Sequence, residues 1–112
     1  MKTIYPFKIV SIDNGITIMS NATTDNYFEV FEKHQYYGNG YCWESHIQQI
    51  LENENPSLLK HIRFKAESDF FFATIDSTKN FNAIMKIIVP IFQDYEKLEK
   101  YIIAANRDKI DA

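Results

Sequence analysis

Cys42 and His46 are the side chains in this sequence whose types and spacing could support catalysis. Four residues apart on a helix, they would share one face, as a thiolate and its general base or two metal ligands must. Either use needs a further group, because a base needs an orienting residue and zinc sites have three or four protein ligands. His34 and His61 stand at no recognisable ligand spacing from the pair. We therefore expect no catalytic residue, no metal site and no cofactor.

The pair lies within an aromatic, glycine-containing motif, "YYGNGYCWESH", at residues 36–46. Residues with positive φ end one helix and let the next begin at a new angle, so this motif predicts a structural corner between two helices. The residues assigned to the corner are Gly38, Asn39, Gly40, Tyr41 and Trp43, with Gly40 at a positive φ and Trp43 packing into the core. Tyrosine rings can be buried while their hydroxyls stay hydrated. Tyr36, Tyr37 and Tyr41 are therefore either corner packing or anchors of a binding surface.

Two hairpins are predicted to flank the helices that carry this motif. Residues 5–12 and 16–20 are rich in β-branched and aromatic side chains, and Asn14-Gly15 between them is a strong hairpin signal. "HIRFKA" and "FFFATID", joined by a polar turn at residues 67–69, predict the second hairpin.

Helical periodicity accounts for the rest of the chain. A first helix, capped by Thr24 or Asp25, is expected to place one apolar side inward, and a second helix follows over about residues 41–53. Their predicted apolar faces are Tyr27, Phe28, Val30 and Phe31 on the first and Trp43, Ile47, Ile50 and Leu51 on the second. A long C-terminal apolar stripe is interrupted by Pro90, which should kink or split the helix. The pattern predicts one α+β domain over residues 1–112, an antiparallel sheet of two β-hairpins with helices packed against it in two layers.

Composition limits where such a chain works. A single cysteine forbids an intramolecular disulfide and indicates a reducing compartment. The N-terminus lacks a signal-peptide pattern, and the longest apolar run, "IIVPIF", is too short to cross a bilayer. We expect a cytoplasmic protein, monomeric or weakly dimeric, with no membrane partner.

Charge is distributed unevenly along the chain, whose net charge is −3. Between residues 9 and 59 seven carboxylates oppose one lysine, so that segment carries −6 and the remainder +3. An acidic segment repels phosphate backbones and suits a basic partner, so we expect no nucleic-acid partner. The acidic residues form two helical stripes, Asp25, Glu29 and Glu32 on the first helix and Glu44, Gln48 and Glu52 on the second.

"FEKHQYYGNGYCWESHIQQIL" followed by "IRFKAESDFFFATIDS" resembles the immunity protein 51 family of bacterial polymorphic toxin systems. The resemblance runs from about Phe28 to Asp76, and its most specific part is Gly38-Asn39-Gly40-Tyr41 with Trp43-Glu44. It implies a cytoplasmic inhibitor that binds a cognate toxin domain stoichiometrically, as in contact-dependent growth inhibition. The family has no catalytic residues to transfer to this sequence.

We expect the toxin to bind the acidic helix faces and the adjacent tyrosines. The candidate toxin-binding residues are Asp25, Glu29, Glu32, Tyr36, Tyr37, Glu44, Gln48 and Glu52. A basic nuclease is the favoured toxin, because an acidic protein that mimics the charge of nucleic acid can occupy such a site or its rim. The alternatives are a small hydrolase or metal-dependent enzyme built on Cys42 and His46, and a general protein-interaction adaptor.

Overall fold

The computed structural model describes residues 4–23 and 26–110. In chain order the elements are β1 (Lys8–Ser11), β2 (Ile16–Asn21), α1 (Tyr27–Lys33), α2 (Gly40–Glu54), a 3-10 helix (Pro56–His61), β3 (Ile62–Phe64), β4 (Phe70–Ile75), α3 (Thr78–Phe92), α4 (Tyr95–Ala104) and a second 3-10 helix (Arg107–Lys109). This order confirms the predicted α+β fold of two hairpins with helices.

The four strands form one antiparallel sheet in the order β1-β2-β4-β3. Asn14 and Gly15 both have positive φ, 55° and 116°, which confirms the turn predicted for the first hairpin. The two hairpins join through β2 and β4, with Ile18 opposite Ala73. Alternate residues of β4 are buried, as expected for a sheet that is covered by helices on one face.

Trp43 is the centre of the hydrophobic core and has no exposed surface. Its ring centroid lies 5.2 Å from that of Tyr27, 4.8 Å from that of Phe92 and 6.1 Å from that of Phe7. The three partner rings come from the N-terminal segment, α1 and α3. Trp43 of α2 therefore packs these parts of the helical layer against one another. The predicted apolar face of α2, Trp43 with Ile47, Ile50 and Leu51, is buried throughout and is thereby confirmed.

Helix α1 is shorter and less buried than its sequence predicted. Its N-cap residue is Asn26, and the caps predicted at Thr24 and Asp25 lie outside the described residues. Only Tyr27 and Phe31 of this helix are buried. The prediction that Phe28 packs inward is wrong. The buried pair, Tyr27 and Phe31, shares one face at i, i+4, and Phe28 lies about 100° round the helix from Tyr27 with its side chain exposed.

Pro90 does not end α3, which continues to Phe92. The break predicted at the proline comes three residues later, between α3 and α4, where the Asp94 carboxylate accepts hydrogen bonds from the backbone N–H groups of Glu96 and Lys97. Proline removes one N–H from the helix, and near a C-terminus that loss affects only the last turn. Within the described residues, we find no helix with the length and apolar character needed to span a bilayer.

Candidate binding surface

The corner between α1 and α2 is built from two left-handed residues, Gln35 with a φ of 66° and Gly38, and one helix cap. Gly38 has a φ of 69°, a conformation that favours glycine. Asn39 is the N-cap of α2, and its side-chain oxygen accepts a hydrogen bond of 2.9 Å from the N–H of Cys42. The chain therefore leaves α1, turns at Gly38 and starts α2 at Gly40.

Gly40 is required for close packing rather than for a positive φ, so the positive φ predicted at this position is wrong. Its N–H donates to the carbonyl oxygen of Ser68 across 2.9 Å. A Cβ at residue 40 would overlap the carbonyl oxygens of Glu67 and Phe70, both in the β3–β4 hairpin. Only a residue without a side chain lets the start of α2 approach this hairpin so closely.

Glu44 makes a second connection between α2 and the same hairpin. Its carboxylate accepts a hydrogen bond of 3.2 Å from the backbone N–H of Ala66. The side chain is half-buried, so Glu44 holds the hairpin against α2 while one edge stays open to solvent. Gly40 and Glu44 together fix the corner to the sheet.

Cys42 and His46 lie inside the core, with 0% and 2% of their surfaces exposed. Cys42 Sγ is 3.5 Å from His46 Nδ1, and the same nitrogen is 3.0 Å from the Cys42 carbonyl oxygen. A carbonyl can only accept, so Nδ1 carries the proton and donates it. Desolvation by burial lowers the pKa of His46 to about 4. The imidazole is therefore neutral at pH 7.

The surroundings of this pair are those of packed side chains. The His46 ring meets the rings of Phe31 and Tyr36 edge-on, at centroid distances of 5.0 Å and 4.7 Å. In the described part of the chain, His46 Nε2 is buried without a hydrogen-bond partner. Nor do residues 4–23 and 26–110 bring together three His, Cys, Asp or Glu side chains that could hold one metal ion.

Tyr36 is a core residue, with 4% of its surface exposed. The Arg107 guanidinium carbon lies 4.1 Å above the centre of the Tyr36 ring, and this guanidinium also donates to the carbonyl oxygens of His34 and Gln35. Of the two alternatives for this tyrosine, its burial agrees with corner packing. Tyr37, the next residue, is 68% exposed.

The acidic residues predicted to bind a toxin fall into two separate groups. Glu29 and Glu32 are exposed on α1, and Asp25 lies outside the described residues. On α2, Gln48 and Glu52 are exposed, and Glu52 is 3.7 Å from the ammonium group of Lys109.

Helix α4 packs against α1. Glu99 of α4 is 2.8 Å from both the Lys33 ammonium group and the His34 ring. The hydrogen bond from Lys33 is the largest cause of a lowered pKa at Glu99. A carboxylate from the C-terminal part of the chain thus lies at the end of α1.

Two residues at the corner were missed by sequence reasoning. Phe28 is 37% exposed although its spacing fits an apolar face. Glu67 follows the second hairpin's first strand and lies against Gly40, more than twenty-five residues away in the chain. The apolar spacing of residues 27–31 does not distinguish the exposed Phe28 from the buried Tyr27 and Phe31.

These features define a small α+β domain with carboxylates and aromatic side chains exposed around one helix corner. Residues 7–107 match the family model described as Immunity protein 51, so the chain belongs to the immunity protein 51 family. The match extends beyond the central motif at both ends and supports an immunity role with a toxin protein as partner. No curated protein and no solved structure matches the chain.

Proposed function

We propose that this protein is a non-enzymatic inhibitor that binds a cognate bacterial toxin domain and neutralises it stoichiometrically. The observation that carries the proposal is the family match over residues 7–107. The burial of Cys42 and His46 supports a binding role, because neither side chain is accessible to a substrate. The inhibitor would act in the cytoplasm, within a polymorphic toxin or contact-dependent growth inhibition system.

The exposed negative charge of α1 and α2 supports a basic toxin as the partner. A nuclease is the class of toxin that we favour. Glu29, Glu32, Gln48 and Glu52 are exposed, and Glu44 is partly exposed. Enzymes that act on nucleic acids present basic surfaces, against which exposed carboxylates are electrostatically complementary. We place the toxin over the corner and the exposed sides of α1 and α2. Tyr36 is left out of the proposed surface because its ring is buried.

We expect the gene of this protein to lie directly after that of its toxin, and co-expression with the toxin domain encoded directly upstream would test this function. We expect cells that produce the toxin domain alone to stop growing, and cells that also produce this protein to recover. Calorimetry of the purified pair should give one inhibitor per toxin. Continued toxicity in the presence of a folded, abundant inhibitor would contradict the proposal, as would toxin neutralisation without complex formation.

A further inference from the structure

Three exposed aromatic side chains border the corner between α1 and α2. Phe28 is 37% exposed, Tyr37 68% and Tyr41 41%. We call these three residues the aromatic corner. Large aromatic side chains are normally buried on folding, and those left on a surface are enriched at the centres of protein interfaces.

The backbone brings the aromatic corner together from two helices and the loop between them. A Cβ on Gly38 would be 3.5 Å from Phe28 Cδ2, so the loop passes directly over that ring. Tyr37 precedes Gly38, and Tyr41 follows Gly40 in the first turn of α2. The three residues therefore lie in, or directly against, one short stretch of backbone.

Carboxylates flank the aromatic corner on two sides. Glu29 and Glu32 lie on the same helix as Phe28 and are exposed. On the opposite side, Glu67 is exposed and its carbonyl lies against Gly40, while Glu44 holds the same hairpin through Ala66. Aromatic faces bordered by carboxylates suit a cation, because the ring quadrupole and the negative charges both attract it.

The chain contains one example of this chemistry beside the corner. Arg107 stacks on the face of Tyr36, with the guanidinium carbon 4.1 Å from the ring centre. Tyr37, adjacent in sequence, has an exposed ring that could receive a cationic side chain from another protein in the same manner.

The backbone beneath the rings is held in place before any partner arrives. Asn39 caps α2 through the N–H of Cys42, and Gly40 is hydrogen-bonded to Ser68 of the hairpin. A preorganised loop loses less conformational freedom on binding than a mobile one, so more of its contact energy remains as affinity.

We propose that the aromatic corner is the anchor of the toxin interface, and that it receives an arginine or lysine side chain of the toxin with adjoining apolar surface. This inference rests on the proposed function and adds to it the residues that contribute most of the affinity. The carboxylates of α1 and Glu67 then surround the anchor and neutralise the incoming cation.

Single substitutions measured by calorimetry against an inactive form of the upstream-encoded toxin domain test the proposal. Tyr37→Ala should weaken binding at least tenfold, as truncating a central aromatic anchor does. Tyr37→Phe keeps the ring and should stay within about threefold of wild type, because the hydroxyl is not needed for cation–π contact. Tyr41→Ala and Phe28→Ala should each weaken binding, and thermal unfolding of every variant reports whether the fold is intact.

Ile12→Ala is the matched control, because Ile12 is 74% exposed and lies near the β1–β2 turn. We expect it to bind as wild type does. If folded Tyr37→Ala and Tyr41→Ala variants bind the toxin with wild-type affinity, the aromatic corner is not the anchor of the interface. The proposed immunity function would be unaffected by that result. An equal loss in Ile12→Ala would also overturn the aromatic corner as the anchor. Absence of binding by the wild-type protein would instead contradict the proposed function itself.

Discussion

The backbone N–H of Gly40 donates to the carbonyl oxygen of Ser68 across 2.9 Å, which joins the first residue of α2 to the turn of the second hairpin. The hydrogen bond draws the two backbones so close that a Cβ on Gly40 would be 2.7 Å from the carbonyl carbon of Phe70. The helical layer and the sheet therefore make a close backbone-to-backbone contact at this glycine.

Gly40→Val should destabilise the protein by about 3 kcal/mol or more, since overpacking against backbone cannot be relieved by a rotamer change. Asn39→Ala, one residue earlier, removes only a helix cap and should cost about 1 kcal/mol. Urea unfolding monitored by tryptophan fluorescence would compare the two. A Gly40→Val protein as stable as wild type would mean that α2 and the hairpin can separate without cost.

Trp43→Ala should cost about 3 to 5 kcal/mol, because it leaves a large cavity among the aromatic rings of the core. The indole is completely buried against rings from three other segments. Trp43→Phe retains most of the apolar contact and should lose distinctly less. Thermal unfolding by circular dichroism measures both, and similar melting temperatures for wild type and Trp43→Ala would contradict the core described above.

Cys42→Ala should leave toxin neutralisation close to normal, because the thiol is buried and is assigned no chemistry. Growth rescue at matched expression levels is the measurement. Complete loss of protection in a variant that still melts near the wild-type temperature would favour the catalytic alternative for Cys42 and His46.

His46 should make the protein sensitive to mild acid. Its pKa is about 4 in the folded protein and near 6.5 when unfolded, so the unfolded chain binds more protons between these values. The free energy of unfolding should therefore fall as pH decreases from about 6.5 towards 4, by roughly 3 kcal/mol in all. His46→Phe removes the titrating group and should flatten this part of the pH profile. Parallel profiles for the two proteins over this range would contradict the assignment.

Reversing Glu29 and Glu32 to lysine should weaken toxin binding more than tenfold at low salt. Opposite charges accelerate encounter, and a Debye length of about 8 Å at physiological ionic strength screens them, so the difference should shrink in high salt. Glu29 lies in the first turn of α1, where its carboxylate interacts favourably with the helix dipole. Replacing it with lysine should therefore lower the free energy of unfolding, by less than about 1 kcal/mol. Calorimetry at two salt concentrations is the measurement.

The control for charge reversal is Asp13→Lys. It is compared with Glu32→Lys, because each of these single substitutions changes the net charge by the same amount. Asp13 is exposed in the β1–β2 turn, at the far end of β2 from α1. Glu99 is unsuitable as a control because it is 2.8 Å from Lys33 at the end of α1. If the wild type, the Glu29/Glu32 double variant and Glu32→Lys all bind the toxin with equal, salt-independent affinity, the α1 carboxylates are excluded from the interface.

Local sequence signals predicted the elements well. Asn14-Gly15 determined the first hairpin because few residue pairs adopt two positive φ angles. The prediction of the buried face of α2 was correct, because four apolar residues at helical spacing define which side of the helix points to the core. Pro90 was harder to place, since the effect of a proline depends on how near the helix end it falls.

The candidate surface depended on contacts that sequence patterns do not encode. Tyr36 is buried because its ring packs against that of His46 and because Arg107, about seventy residues later, stacks on it. Phe28 is exposed although its spacing fits the apolar face that buries Tyr27 and Phe31. Gly40 is needed because a distant hairpin approaches it, although φ was the expected reason. Each outcome is set by the partner across the fold.

The contact of Gly40 with the hairpin limits how the aromatic corner could be reproduced in a shorter peptide. A synthetic peptide covering residues 26–54 would contain the whole aromatic corner, yet it would lack the Ser68 carbonyl and the Ala66 N–H that hold the start of α2 in place. Isolated helices of this length are marginal in water. A miniature mimic of the surface would have to carry the β3–β4 hairpin as its template.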